Sequence, residues 1–240
     1  MNIFPATPGV YDYLIVHCTA TTPTMDIGAA WVDRVHRRKG WSGCGYHAVI
    51  TRSGEIQWHG SGHRTRRVGS PGAHVGGCGP GWNSRSFGVS LAGGVKEDGR
   101  TPDCNFTLSQ YVALWYVIED ACEKFGIPMD NVIGHRDLIK ITRAAPKACP
   151  CFSVEEFKAG FVVPLDTHDD DRLEYRWDRQ LRPALQRGEK LGVKRQYIVK
   201  AGDTLWSISR VTGVPLHTIR RLNDIDNDLI RPGQKLRLLD

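Results

Sequence analysis

The sequence predicts an α/β fold: a mixed β-sheet flanked by helices, followed by a small separate βααβ unit. Three observations carry this. Short apolar or alternating runs at residues 13–17, 46–51, 55–59, 86–91 and 131–134 read as strands, and stretches with helical spacing interrupt them. Residues 164–196 are densely charged and have no sheet pattern. Residues 197–238 then run strand, helix, helix, strand, with apolar positions of their own.

In chain order, Tyr13-Leu14-Ile15-Val16-His17 is a continuous apolar run ending in histidine, which reads as a buried strand. Asp26 to Lys39 is helix-like, with Ile27, Ala30, Trp31 and Val35 opposite Arg34 and Arg38. Gly40, Gly43 and Gly45 break that pattern and lead into Tyr46. The next two runs alternate around Arg52-Ser53-Gly54, a hairpin signal. Residues 60–82 are rich in glycine and hold His63 and His74. That length exceeds an ordinary connection and points to a binding loop or a mobile one. Ser86 to Leu91 is a strand closed by Gly93-Gly94.

Thr107 and Gln110 form a capping box, after which Tyr111, Leu114, Trp115, Ile118, Cys122 and Phe125 recur at helical spacing until Gly126. Residues 131–134 form a short strand delivering His135, and residues 136–146 read as an extended loop. Ser153 and Glu156 make a second capping box, opening a helix through about Val162. In the charged stretch, Leu173, Trp177, Leu181 and Leu185 share a helical face that Pro183 would bend; a solvated spacer fits equally well. In the last unit, Asp203 or Thr204 can cap a helix whose core face is Leu205, Ile208 and Val211. Gly213 ends it, Pro215 opens the next, and Ile230, Leu236 and Leu238 suit the returning strand.

Forty per cent apolar and 24 per cent charged residues in a 240-residue chain fit one or two globular domains. No run approaches the roughly 20 apolar residues of a membrane span, so no membrane insertion is expected. The N-terminus lacks a basic segment followed by an apolar one and a cleavage site, which predicts synthesis in the cytoplasm without a signal peptide. Seven cysteines in a chain this long do not read as a disulfide scaffold, although a Cys44–Cys78 bridge stays open. The formal charge of +6 fits a solvated surface or attraction to an anionic polymer. No nucleic-acid motif accompanies it, so no nucleic-acid partner is expected. Nothing demands more than a monomer.

The chemistry concentrates in GHRDLIKITRAAPKACPCF, residues 134–152, which holds His135, Lys147 and Cys149. Imidazole and thiolate are ligand types that zinc prefers. A third ligand would have to come from elsewhere, and His17 is the candidate. Such a set leaves one tetrahedral position open for water. No local pattern joins His17 to His135, and a lone histidine at a strand end is more often structural than a ligand.

The runs LIVHCTAT, GYHAVITRSGEIQ, SFGVSLAGG and GHRD…PKACPCF, in this order, resemble the zinc-dependent N-acetylmuramoyl-L-alanine amidases, over roughly residues 10–163. That family includes amidase-type phage lysozymes and animal peptidoglycan-recognition proteins. The resemblance implies hydrolysis of the amide between N-acetylmuramic acid and L-alanine, with Zn2+ on His17, His135 and Cys149. It implies catalytic roles for Tyr46 and Lys147, and substrate contacts for His74 and Asn83 on the rim of the cleft. Without it, Tyr46 reads as a half-buried strand residue and His74 as an exposed histidine. His47 reads as structural or as a partner of a ligand, and Cys151 as a bystander thiol. Lys140 and Arg143 would favour an acidic stem peptide.

GDTLWSIS, LNDI and LIRPGQKL resemble a LysM module. The resemblance implies binding of N-acetylglucosamine-containing glycan between Gly202, Asp203, Thr204 and Leu205 on one loop and Asp228, Leu229 and Ile230 on another. The organisation expected is an amidase domain over 1–163, a charged, partly helical linker over 164–196 and a wall-binding domain over 197–240. The whole then resembles a phage endolysin, made in the host cytoplasm and reaching peptidoglycan through a membrane lesion. The alternative is a non-catalytic peptidoglycan receptor; Cys149 argues against it, since such relatives commonly carry serine there.

Overall fold

The computed structural model describes residues 2–142, 144–158, 161–162, 175–176, 196–200, 202–205, 208, 216–225 and 229–238. Its centre is a five-stranded sheet built from β1 (Tyr13–Cys18), β2 (Ala48–Ile50), β3 (Ile56–Trp58), β4 (Ser86–Leu91) and β5 (Val132–Gly134). The spatial order is β3-β2-β4-β1-β5. β1 pairs in parallel with β4 and β5, β2 is parallel to β4, and only the β2–β3 hairpin is antiparallel.

Side chains alternate across each strand, so the sheet has two distinct faces. Leu14, Val16, Ala48, Ile50, Phe87, Val89, Leu91 and Val132 point into one core. After the short helix α2 (Trp82–Arg85), the long helix α3 (Leu108–Phe125) covers it with Tyr111, Leu114, Trp115, Ile118 and Phe125. The predicted capping box is present: Thr107 Oγ1 accepts from the Gln110 amide at 3.2 Å, and Gln110 Oε1 accepts from the Thr107 amide at 3.1 Å. Gly126 ends the helix at φ +75°. The opposite face carries Ile15, His17, Val49, Gly88 and Ser90, and there α1 (Ala29–Arg38) packs through Ala29 and Val32 against Val49. Helices on both faces explain why β1 can be buried from Leu14 to Cys18.

Three expectations need correction. α1 begins at Ala29 rather than Asp26, because the first free helix amide is capped from another strand: Ala29 N–H donates to Gln57 Oε1 at 2.7 Å. Its buried face is Ala29, Val32, Asp33 and His36, while Ala30 is exposed. Residues 136–146 are not one extended loop, since a 3-10 turn (His135–Asp137) runs into α4 (Leu138–Thr142). The helix opened by Ser153, α5 (Val154–Lys158), stops before Phe161–Val162, which form a short strand β6 paired with β7 (Tyr175–Arg176). All seven cysteines are free thiols, and Cys44 and Cys78 lie in different clusters.

The C-terminal unit pairs β8 (Gln196–Ile198) antiparallel with β9 (Lys235–Arg237), and α6 (Leu216–Asn223) packs beside β9. Val199, Leu205, Ile208, Ile219, Leu236 and Leu238 form its core. Asn223 ties helix to strand twice: its Nδ2 donates to the Arg237 carbonyl and its Oδ1 accepts from the Arg237 amide, both at 2.7 Å. Val211, Gly213, Pro215, Asp228 and the leucine–tryptophan face of 173–185 lie outside the described residues.

Candidate metal centre

Parallel pairing brings the carboxyl ends of β1 and β5 together. Val16 is in register with Gly134, so His17 and His135 emerge side by side, with ring centroids 4.6 Å apart. Ligands of open α/β sheets collect at this end of the strands. Cys149 is folded back onto the pair, because the Arg136 amide donates to the Cys149 carbonyl at 2.7 Å. The ligand atoms of His17, His135 and Cys149 all lie within 4.8 Å of one another.

Three features of this cluster fit a zinc ion. The donor set is two imidazoles and a thiol, and His17 Nδ1 stands 3.7 Å from Cys149 Sγ, close to the roughly 3.5 Å separating two ligands of a tetrahedral zinc. The buried His135 Nε2 has no hydrogen-bond partner, an unusual state for a buried ring nitrogen. Both imidazoles are held neutral, as a ligand must be. Burial, then His74, His135 and Lys147, keeps His17 well below the usual imidazole range, and burial followed by Lys147 pushes His135 down to about 4.

The second ring nitrogen of His17 is fixed by its partner. His17 Nε2 lies 2.9 Å from His74 Nδ1, and His74 Nε2 lies 3.3 Å from the Ser86 carbonyl. A carbonyl only accepts, so His74 carries its proton on Nε2 and accepts at Nδ1. His17 then donates from Nε2, which leaves the lone pair on Nδ1, the nitrogen facing Cys149. Gly88 makes room for this pair: a Cβ there would stand 2.7 Å from the His74 ring. The Cys149 sulfur also accepts from the Cys18 amide at 3.2 Å.

His74 is therefore not on the rim. It is 6% exposed and lies behind His17. Asn83 likewise faces inward, its Oδ1 accepting from the amides of His74 at 2.9 Å and Val75 at 3.1 Å. Tyr46 is half-buried, its ring 5.2 Å from that of His17. Burial, then the neighbouring Cys149 and Cys18 sulfurs, raises its hydroxyl pKa, so it is a neutral donor. Lys147 is exposed at the mouth, with Nζ 3.5 Å from the Gly76 carbonyl. His47 is structural: its Nε2 donates to the Ser70 carbonyl and its Nδ1 accepts from the Gly88 amide, each at 2.9 Å. Cys151 turns away from the ligands, donating to the Gly94 carbonyl at 3.1 Å and lying 3.8 Å from Cys18 Sγ. Lys140 sits 3.6 Å from Asp137, and Arg143 lies outside the described residues.

In the C-terminal unit Gly202, Thr204 and Leu229 are exposed, and Ile230 is half-buried. Leu205 is 2% exposed and belongs to the core rather than to a glycan surface. Asp203 braces the first loop, its Oδ2 accepting from the Lys200 amide at 2.7 Å and the Tyr197 hydroxyl at 2.9 Å.

Known proteins match along these same two stretches. The model of the N-acetylmuramoyl-L-alanine amidase family matches residues 7–152, and that of the LysM domain matches residues 197–238. The endolysin of Enterobacteria phage K11 is 36% identical over 152 residues, covering 63% of this chain and 88% of that protein. The C-terminal unit is similar to part of the probable peptidoglycan endopeptidase LytE of Bacillus subtilis, 45% identical over 42 residues, 18% of this chain and 13% of that protein. Among solved structures, the amidase LysC from Clostridium intestinale is 27% identical, with a TM-score of 0.47, over 66% of this chain and 93% of that one.

Proposed function

The chain belongs to the N-acetylmuramoyl-L-alanine amidase family, and from that premise we propose that it is a zinc-dependent peptidoglycan hydrolase of the endolysin type. The observation that carries the zinc assignment is the convergence of His17, His135 and Cys149 around the unpartnered His135 Nε2. Zinc held by these three would polarise the scissile carbonyl and acidify a water. The chain's own groups do the rest. Charge develops on the carbonyl oxygen as water attacks, and in this reading the neutral Tyr46 hydroxyl and the Lys147 side chain are the donors that meet it. The amine of L-alanine leaves only once protonated, and Lys147 at the open mouth is the group to supply that proton. His74, through the Ser86 carbonyl, holds the tautomer of His17.

The division into a catalytic domain over 1–163, a linker over 164–196 and a wall-binding domain over 197–240 is part of the same reading. So are glycan contacts on the exposed loop residues of the LysM unit, a monomeric state, and access to the wall through a lesion made by another protein. Among the described residues no helix is long and apolar enough to cross a membrane. Tethering a hydrolase to an insoluble polymer raises its effective concentration at the bond.

Mass spectrometry of digests of purified peptidoglycan tests this. The expected products are stem peptides beginning with L-alanine, lost on chelation and restored by zinc. Cleaved glycan strands would make the protein a glycosidase, and wall binding without products would make it a receptor.

A further inference from the structure

We propose that Cys18 and Cys151 form an oxidisable dithiol whose disulfide clamps the Cys149-bearing segment to β1. The disulfide does not depend on the zinc reading above; its effect on the metal does. The two sulfurs lie 3.8 Å apart. A bond sets them roughly 2 Å apart, so the approach required is small. Cys151 adopts φ +73°, a region that non-glycine residues seldom enter, and its amide donates to the Ala148 carbonyl at 2.7 Å. The turn closed in this way brings its sulfur back to the end of β1. Gly94 leaves room for the pair: a Cβ there would stand 2.5 Å from Cys18 Sγ and 3.7 Å from Cys151 Sγ. Cys18 follows Leu14 and Val16 onto the α3 side of the sheet, whereas His17 points the other way. A bridge on that side leaves the imidazole ligand in place.

Cys18 is 6% exposed and Cys151 is half-buried, so a small oxidant such as hydrogen peroxide meets Cys151 first. The O–O bond breaks as the Cys151 sulfur takes one oxygen, giving a sulfenic acid and releasing the first water. The Cys18 sulfur then bonds to the Cys151 sulfur, the S–O bond breaks, and the hydroxyl leaves with the Cys18 proton as the second water. Two thiols are oxidised to one disulfide, and one peroxide is reduced to two waters. Contact with Cys149 and then burial raise the Cys18 thiol above its ordinary range, and contact with Cys18 followed by burial raises that of Cys151. Neither is a fast nucleophile, so bridging should take hours rather than seconds. A chain that passes from a reducing cytoplasm to the wall, as proposed above, moves towards oxidising conditions. The bridge would join positions 133 apart, one after His17 and two after Cys149. Without it, that segment is held by contacts such as the Cys18 amide on the Cys149 sulfur at 3.2 Å. Zinc held by His17 and Cys149 leaves only when those side chains part, and a bridge beside both resists the separation.

The test uses the full-length protein incubated with zinc, then with hydrogen peroxide or with a thiol reductant, and mapped by mass spectrometry after alkylation of free thiols. A Cys18–Cys151 bridge, two hydrogens lighter than the reduced pair, is expected. Its formation should raise the thermal midpoint of the region around the five-stranded sheet by about 5 to 10 °C. Transfer of zinc to a chromogenic chelator should slow about tenfold. Reductant should reverse both changes. Cys151→Ser should bind zinc like the reduced wild-type protein and show neither change with peroxide. A bridge from Cys151 to Cys104 or from Cys18 to Cys149, or no bridge at all, overturns the dithiol. A Cys18–Cys151 bridge that moves neither the midpoint nor the zinc transfer overturns the clamp. The bridge and the raised midpoint in a protein that binds no zinc would retain the dithiol and overturn the zinc reading.

Discussion

His17 and Cys149 are 132 positions apart, yet their ligand atoms meet within a buried cluster braced by His74, Ser86 and the Cys18 amide. The loops of the LysM unit proposed to contact glycan are local: Gly202 and Thr204 lie shortly after β8, Leu229 and Ile230 precede β9, and three of the four are exposed. The first region concentrates its function in a few atoms that the whole sheet must position. The second spreads it over surface positions on a core of its own. Point changes should therefore be severe in the first region, whereas the second should be lost only as a unit.

The sharpest break between them is Cys149→Ser. A serine hydroxyl offers zinc neither charge nor softness. Release of stem peptides should fall on the order of a thousandfold, the equivalent of about 4 kcal/mol of lost carbonyl activation. Co-sedimentation with insoluble walls should be unchanged. A variant that cleaves normally would remove the cysteine from the chemistry. Conversely, a chain ending at residue 196 should keep its turnover of a soluble muramoyl peptide. At low enzyme concentration it should lose about a hundredfold in the rate on intact walls. Equal losses on both substrates would mean that the two regions work as one.

A smaller effect probes the bracing. His74→Phe keeps an aromatic ring beside His17 but removes the acceptor that fixes its tautomer. Zinc affinity measured by chelator competition should drop about 10- to 100-fold, with little change in melting temperature. Undiminished affinity would show that the tautomer needs no partner.

The same contrast explains what was legible in the sequence. Strand β4 and the capped α3 could be read residue by residue, because alternation and the Thr107–Gln110 box are local signals. The start of α1 could not, since its cap is Gln57, 28 positions from the Ala29 amide. The convergence of His17 with His135 required knowing that β1 and β5 are neighbours, which no spacing announces. The family motifs supplied that pairing. They also placed His74 and Asn83 on the rim, where neither points, because a glycine-rich loop folded inward looks the same in sequence as one that lies open. Leu205 shows the converse error: it belongs to a recognised loop motif yet fills the core.

Acid should separate the two regions most gently. His47 is fully buried with no acidic partner, its ring bonded to the Ser70 carbonyl and the Gly88 amide, and burial pushes its pKa from 6.5 down to about 4. Below pH 6.5 the unfolded chain takes up a proton that the folded chain refuses, so stability falls as pH falls. The contribution is complete above about 6.5, is lost progressively towards 4, and does not change further once both states are protonated. Between pH 7 and 5 this one imidazole costs about 2 kcal/mol, and His36, lowered to about 4 chiefly by burial, acts in the same direction. Of the nine histidines only His217 lies in residues 197–240. Denaturant midpoints of the two regions, followed separately by hydrogen exchange, should therefore diverge on acidification, the N-terminal region losing stability and the LysM unit changing little. His47→Gln should flatten part of that slope. A parallel loss in both regions would mean that the acid sensitivity comes from carboxylates common to both, and that the buried imidazoles contribute none of it.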